Sequence, residues 1–569
     1  MIRTGEAAKK RARFLYILLF GFAVIIVRLA YVQFGQHEYY DQLAVSQSQR
    51  KIKLPAERGR ILDRNGKVLA ESYISPSLWA DPGLIEINDE FCSNVLKISE
   101  IINEEYHSIM EQCKKKRRFI WIKRRLPRSE VEAITPILEG MTGLYFSEEW
   151  SRFYSTDSML SPVLGMLGSE HNGLMGLEQR YNKLLEGKSG VLLQTHDARG
   201  KVLNEKISVA PVKGQDLYIT IDATIQNILF HEVRKSFDEY KPISASGVVL
   251  DPHTGEILAM VSLPSFNPGE PIGSNLDALK PRMIQNIYEP GSTMKPLIYA
   301  AMLEQGKGRS DEMVHCGFGK KAFGPRVLHD AHPYGNLSME DIIVKSSNIG
   351  AATMGIRLGN VALYKSLYSL GFGQFNHLPI SGEPRGNLRP MAKWDQYSTT
   401  SVPMGHEIGV NMIQMVRAYG ALANGGTVIQ PSLEKKVLDS SGNVVRQGGG
   451  LPTGKVFSQT TCDKVMKALR GVVERGTAVK ANSELYAIVG KTGTTEKLVN
   501  GRYVKNKNIG SFVAIAPMSK PRLVVMMMVD EPHGASFGGV VAAPSVRRTI
   551  EDSLQYLGVP PELESSRNL

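Results

Sequence analysis

A single run from Phe14 to Phe34 limits this chain more than any other stretch. From Phe14 to Val27 it reads FLYILLFGFAVIIV, uncharged and apolar, and beyond Arg28 it stays apolar as far as Phe34. A helix that spans a bilayer needs about 20 such residues. Arg28 lies near the far end, where a long side chain can reach the interface. Arg3, Lys9, Lys10, Arg11 and Arg13 precede the run, whereas His37, Glu38 and Asp41 follow it. This asymmetry predicts a cytoplasmic tail over residues 1–13, a single-pass anchor of the inner membrane over 14–34, and an extracytoplasmic remainder. A cleavable signal peptide is the competing reading. The run is longer than the usual apolar core of a signal and no small-x-small site follows, so an uncleaved anchor is the expectation.

The chain has 569 residues, too many for one compact core. With 42% apolar and 22% charged residues it is ordinary for a folded protein. Beyond the anchor, residues 35–215 read as an extended pedestal rich in charged turns, 216–560 as a larger domain, and 561–569 as a tail. The pedestal opens with ERGRILDRNGKVLA, where Asn65-Gly66 signals a hairpin. It continues to KKKRRFIWIKRRL (114–126), a basic stretch around an alternating core. Nucleic acid is no partner for a segment outside the membrane, so a strand with solvated basic flanks is expected, with docking to anionic lipid or a partner as the alternative. GLMGLEQRYNKLLEGKSG (173–190) predicts a turn and then one amphipathic helix ended by Gly187. The scattered Cys92, Cys113, Cys316 and Cys462 include no CxxC pair; one disulfide is left open and no pairing is assigned.

In the larger domain, DLYITID (216–222) alternates as a strand, residues 224–237 have helical spacing, and SASGVVLDPHTGEILAMVSL (244–263) predicts a hairpin. Helical patterns dominate from Ser292 to about Leu422, one of them opened by the capping box Ser338-Met-Glu-Asp341. Strands return at 485–494, 509–517 and 522–532 before a last helix near 544–557. The expected class is α/β (α+β), with an antiparallel sheet assembled from both ends of the domain and flanked by helices.

Three short motifs carry the chemistry. SxxK occurs at Ser48, Ser292 and Ser432, but only Ser292/Lys295 follows a chain break (Glu289-Pro290-Gly291) and opens an apolar helix. There Pro296 costs little, because the first turn lacks N–H partners anyway. Serine and lysine at i and i+3 share a face. SxN recurs, as at Ser265/Asn267 and Ser441/Asn443, but only Ser346/Asn348 lies between two helical runs. Lys491-Thr492-Gly493 ends an apolar strand and is followed by Thr494. SxxK, SxN and KTG in this order, on helix, inter-helix junction and strand, are the signature of penicillin-binding and serine β-lactamase-like chemistry. His315-Cys316 with His329 and His332 matches no usual ligand spacing, so no metal is expected, and no cofactor motif is present. Met526-Met527-Met528 reads as core, and Gly538-Gly539 as a site of close backbone approach.

With these motifs on the page, the chain resembles the class B penicillin-binding proteins, and among them the division-type branch. The likeness runs through the anchor, RGRILDRNG, GLMGLEQRYNKLLEGKSG, VVLDPHTGEILAMVSLPSFNP, EPGSTMKP, SSN, KTGT, SFVAIAP and FGGVVAAP. It departs where KTG is followed by Thr-Thr-Glu rather than the commoner Thr-Ala. The resemblance implies a dimerisation-type pedestal and a serine D,D-transpeptidase that crosslinks peptidoglycan stem peptides at D-Ala-D-Ala and is acylated by β-lactams. It implies Ser292 as nucleophile, Lys295 as its base with a pKa depressed by burial and by Lys491, and Ser346 and Asn348 as proton relay and orienting group. Lys491, Thr492, Gly493 and Thr494 would bind the substrate carboxylate, and the N–H groups of Ser292 and Thr494 would form the oxyanion hole. Partners implied are a multi-spanning membrane glycosyltransferase and other division proteins. An elongation-type enzyme, a β-lactam hydrolase, a sensor and a non-catalytic scaffold are the rivals.

Overall fold

The structure, a computed structural model, describes residues 3–196, 202–270, 273–499 and 501–563. The expected tail therefore lies outside the described residues from 564 onward. Two compact units form, Met1–Glu57 with Gly187–Lys213, and Arg58–Glu186 with Gly214–Leu569.

In the first unit a helix runs over Arg3–Ala30 and tightens into a π-helical turn at Tyr31–Gly35. The helix starts well before the apolar run because Ala7, Ala8, Lys9, Lys10 and Arg11 are themselves good helix formers. Its Gly5–Gly35 stretch is long and apolar enough to cross a membrane. The rest of the unit is a helix at His37–Ser48 and an antiparallel sheet of Gln49–Leu54, Gly190–His196 and Val202–Val209.

In the second unit, the body of the expected pedestal begins with the hairpin Ile61–Leu62 to Val68–Ala80. Asp63 Oδ1 accepts the N–H groups of Asn65 and Lys67, both at 2.8 Å, and Gly66 takes the left-handed conformation (φ +92°) that the turn requires. Val68–Ala80 pairs with Ile120–Lys123 and with Leu144–Tyr154, so the basic stretch is a strand whose leading cations, Lys114 to Arg118, are exposed. Ile61–Leu62 also runs parallel to Asp216–Ile219, which sews the pedestal body to the larger domain. The helix expected over 173–190 is instead two short ones, Gly176–Arg180 and Asn182–Leu185. The break falls at Tyr181, which leaves helical geometry (φ −102°, ψ 17°) and donates its hydroxyl to Glu434 at 2.6 Å. Beneath them Glu178, fully buried, accepts from Arg58 Nε at 2.7 Å and Arg152 Nε at 2.8 Å.

The larger domain is built on five strands, β1 (Ser244–Leu250), β2 (Ile257–Leu263), β3 (Val489–Val499), β4 (Arg502–Ala516) and β5 (Leu523–Asp530). Their spatial order is β2-β1-β5-β4-β3, antiparallel throughout. β1, β2 and nearly all of β5 are buried, which is why they read as unbroken apolar runs rather than as alternation. Helices cover both faces. Gly247 of β1 lies against Leu229 and Val233 of helix Ala223–Tyr240, whereas Leu250, of opposite orientation, meets Gly420 of helix Met412–Ala423. Met526, Met527 and Met528 are core. Between Ser292 and Leu422 the expected helical dominance fails at 313–338. This segment forms two hairpins, Met313–His315 with Asn336–Ser338 and Lys320–Phe323 with Arg326–His329. Gly317, Gly319 and Gly324 at positive φ supply the turns that interrupt any helical period. The four cysteines are free thiols.

Candidate active site

Residues Gly291–Met294 form a 3-10 turn that runs into the helix α1 (Lys295–Glu304), with Pro296 in its first turn. Across residues 291–302 every residue is buried except Ser292, which keeps partial exposure. The turn is held from two sides. Gly291 N–H donates to Gly405 O at 3.2 Å, and Tyr419 Oη donates to Thr293 O at 2.8 Å. A Cβ on Gly291 would stand 2.3 Å from Thr495 Oγ1, and one on Gly493 would stand 3.1 Å from Thr293 Cγ2. The two glycines therefore let the serine turn lie directly on the KTG end of β3.

Lys295 is fully buried. Its Nζ donates to Ser346 O at 2.6 Å and Asn348 Oδ1 at 2.7 Å, with Ser346 Oγ at 3.3 Å. Those acceptors sit at the junction of α2 (Met339–Lys345) and α3 (Asn348–Ser369). Ser338 caps α2, accepting from the Asp341 N–H at 3.0 Å. Ser346 ends α2 in the left-handed region (φ +59°), uncommon for a non-glycine residue, and so turns its carbonyl towards Lys295. Ser347 caps α3 by accepting from Gly350 N–H at 2.9 Å.

Lys491 is also fully buried, and its Nζ has only long contacts, to Thr492 O at 3.3 Å and Thr492 Oγ1 at 3.5 Å. Burial drops Lys295 to about 7, with the nearby Asp330 carboxylate pulling the other way. Lys491 is itself driven well below the lysine range, first by burial and then by Lys295. Two ammonium groups this close and this dry cannot both stay charged at neutral pH.

The structure thus brings three segments far apart in the chain, those of Ser292–Lys295, Ser346–Asn348 and Lys491–Thr494, against one another. Thr494 is exposed at the mouth, its Oγ1 accepting from Gly538 N–H at 3.3 Å. Thr492 is nearly buried, its hydroxyl paired with Thr477 Oγ1 at 2.7 Å. Gly538 and Gly539 pass close to Ser511 O, Gly493 O and Thr477 O, distances that no side chain allows.

Three contributors escaped the sequence reading. Thr477 follows an unremarked helix end and carries no motif. Glu289 accepts from Glu407 N–H at 2.8 Å and Tyr503 Oη at 2.9 Å and contacts His406 Nδ1 at 3.0 Å, bracing the serine turn beside a cleft of about 460 Å³. Its signal was its place in the chain-breaking tripeptide before Ser292. Asp330 accepts from Asn348 N–H at 2.5 Å, Ile349 N–H at 3.0 Å and Ser347 Oγ at 2.6 Å. His329 and His332 flank it, and His315 contacts Asn336 Oδ1.

Residues 245–551 match the penicillin binding protein transpeptidase domain. The chain belongs to that family. Residues 53–219 match the penicillin-binding protein dimerisation domain. As a penicillin-binding transpeptidase, the protein is a serine-type peptidoglycan D,D-transpeptidase. Among its relatives, the probable peptidoglycan D,D-transpeptidase PenA of Neisseria meningitidis is 30% identical over 547 residues, covering 95% of this chain and 91% of that one. Stage V sporulation protein D of Bacillus subtilis is 32% identical, covering 97% and 86%. Peptidoglycan D,D-transpeptidase FtsI of Escherichia coli is 26% identical, covering 96% and 91%. In fold the chain is similar to penicillin binding protein 2X from Streptococcus thermophilus (TM-score 0.74, 24% identity, 91% of this chain and 82% of that one).

Proposed function

We propose that this transpeptidase crosslinks stem peptides of the septal wall through an acyl-enzyme on Ser292. The observation that carries the assignment is the fully buried Lys295, held by Ser346 and Asn348 within one helical turn of Ser292, which alone on that turn keeps partial exposure. Neutral Lys295 takes the Ser292 proton as Oγ attacks the carbonyl between the last two D-alanines. Ser346 passes the proton to the leaving amine, and D-alanine departs. The N–H groups of Ser292 and Thr494 stabilise the oxyanion, a term worth about 10²–10³ in rate per donor. Lys491, with Thr492, Gly493 and Thr494, receives the substrate's terminal carboxylate. An amine from a second stem peptide then takes the acyl group, which forms the crosslink and frees Ser292.

β-Lactams acylate the same serine. A related fold, penicillin binding protein 3 from Mycobacterium tuberculosis, has been solved complexed with aztreonam. We assign residues 14–34 as an uncleaved anchor with residues 1–13 in the cytoplasm, residues 35–215 as pedestal and 216–560 as the transpeptidase domain. A multi-spanning glycosyltransferase is the partner, contacting anchor and pedestal. The septal role rests on the full-length likeness to FtsI.

The test is labelling of the purified full-length protein with fluorescent penicillin, wild type against Ser292→Ala. A long-lived, Ser292-dependent adduct supports the reading, fast turnover means a hydrolase, and no adduct means a scaffold. Depletion that makes cells filament supports the septal role; rounding means elongation, and a defect confined to spores overturns both.

A further inference from the structure

We propose that Asp330 is a positioning residue of this site, its carboxylate both organising the Ser347–Ile349 turn and supplying the negative charge that faces Lys295. The inference rests on the reading of Ser292 and Lys295 given above and adds a residue that no motif contains. Asp330 lies just past the hairpin strand Arg326–His329, outside every helix. Its Oδ1 accepts the two N–H groups that open α3, from Asn348 at 2.5 Å and Ile349 at 3.0 Å, and its Oδ2 accepts the Ser347 hydroxyl at 2.6 Å. Next to it, His329 O accepts from Asn348 Nδ2 at 3.0 Å, which leaves Asn348 Oδ1 turned to Lys295. The hairpin therefore fixes both the backbone and the amide orientation of the residue that holds the lysine.

A carboxylate at a helix start is favoured by bare N–H groups and by the helix dipole, so the contacts alone fit a purely structural role. The electrostatics goes further. Lys295 is faced by the Lys491 amine from β3, by Asp330 from the hairpin, and by the neutral Ser346 and Asn348. Asp330 in turn faces Cys316 and Tyr334, both raised first by burial and further by its charge, with Lys321 near Cys316 and with His329 and His332 beside it in the chain. Burial would keep the lysine neutral, and the Asp330 charge opposes it. The base must be neutral to accept the proton from Ser292 Oγ, yet it must hold that proton as an ammonium until the leaving amine takes it. Asp330 stabilises this second state. No proton is lost or gained overall, since the one removed from Ser292 leaves on the amine.

The experiment is the acylation rate of the purified full-length protein by fluorescent penicillin, followed between about pH 5 and 9 for wild type, Asp330→Asn, Asp330→Glu and Ser347→Ala. Asp330→Asn keeps the shape and removes the charge. Lys295 then stays neutral to lower pH, so the acid limb of the profile moves down by about one unit, while the plateau falls because the ammonium is less supported. Asp330→Glu restores the wild-type limb. Ser347→Ala, which removes the hydroxyl's contacts to Asp330, to the Gly350 N–H and to Cys316 but no charge, lowers the plateau without moving the limb. Should Asp330→Asn fail to fold, Asp330→Ser, neutral and still able to accept from the Asn348 N–H, carries the same expectation. A plateau that drops with the limb unmoved, or a limb that moves up, overturns the proposal and leaves Asp330 a structural cap. Failure of the underlying reading looks different, because wild type would then form no adduct or Ser292→Ala would form one.

Discussion

The molecule buries two clusters of charge, and it treats them oppositely. In the pedestal body, Arg58 and Arg152 close on Glu178; Arg58 also reaches Glu178 O, Asn182 Oδ1 and His171 O, and Arg152 Nη1 reaches Gly59 O, while Arg152 Nη2 is left without a hydrogen-bond partner among the described residues. Each cation meets the shared anion and at least one carbonyl, an arrangement in which buried charge is tolerated. In the transpeptidase domain, Lys295 and Lys491 are as deeply buried, yet neutral oxygens are their nearest partners and each cation repels the other. Stability is served by the first arrangement. The second leaves a lysine that changes charge near neutrality, which acid–base work requires. Burial alone does not separate a structural cation from a chemical one; the partner does.

That contrast can be broken most forcefully at Lys295. Lys295→Ala should slow acylation of Ser292 by about 10³-fold, the worth of a positioned general base, with the thermal midpoint little lowered. A fall of less than tenfold in stopped-flow labelling would remove Lys295 from the chemistry. Glu178→Ala should do the reverse. Stranding two buried guanidinium groups should cost about 3–5 kcal/mol in denaturant unfolding, while the acylation rate per folded molecule stays at the wild-type value. If the folded fraction loses acylation as well, the two clusters are coupled and the comparison fails. The smallest change sharpens it. Thr477→Val removes the hydrogen bond to Thr492 at 2.7 Å, about 1 kcal/mol, so acylation should drop about fivefold with little change in stability.

Much of this was legible in the sequence for a local reason. SxxK, SxN and KTG each report a short piece of backbone, a helix start, an inter-helix junction and a strand end, and spacing along the chain encodes such pieces. The sheet was legible because β1, β2 and β5 are covered on both sides and so carry unbroken apolar runs. Asp330 and Thr477 were not, since each acts by reaching a partner that only tertiary folding supplies. The 313–338 hairpins were missed because glycines at positive φ, rather than apolar alternation, shape them. The helix expected over 173–190 broke because Tyr181 gives up helical geometry to reach Glu434, 253 residues away, and local propensity has no knowledge of such a partner.

The strand order carries a consequence for how the protein is made. β5 sits at the centre of the sheet, between β1 and β4, so Val248 finds its partner Met526 only after about 280 further residues have been synthesised. Until then the β1–β2 hairpin waits with one long apolar edge unpaired, an invitation to pair with the wrong chain. Synthesis of this enzyme therefore includes an interval in which nascent polypeptide must be kept from aggregating, and a product cut short before β5 would be left with its central seam open.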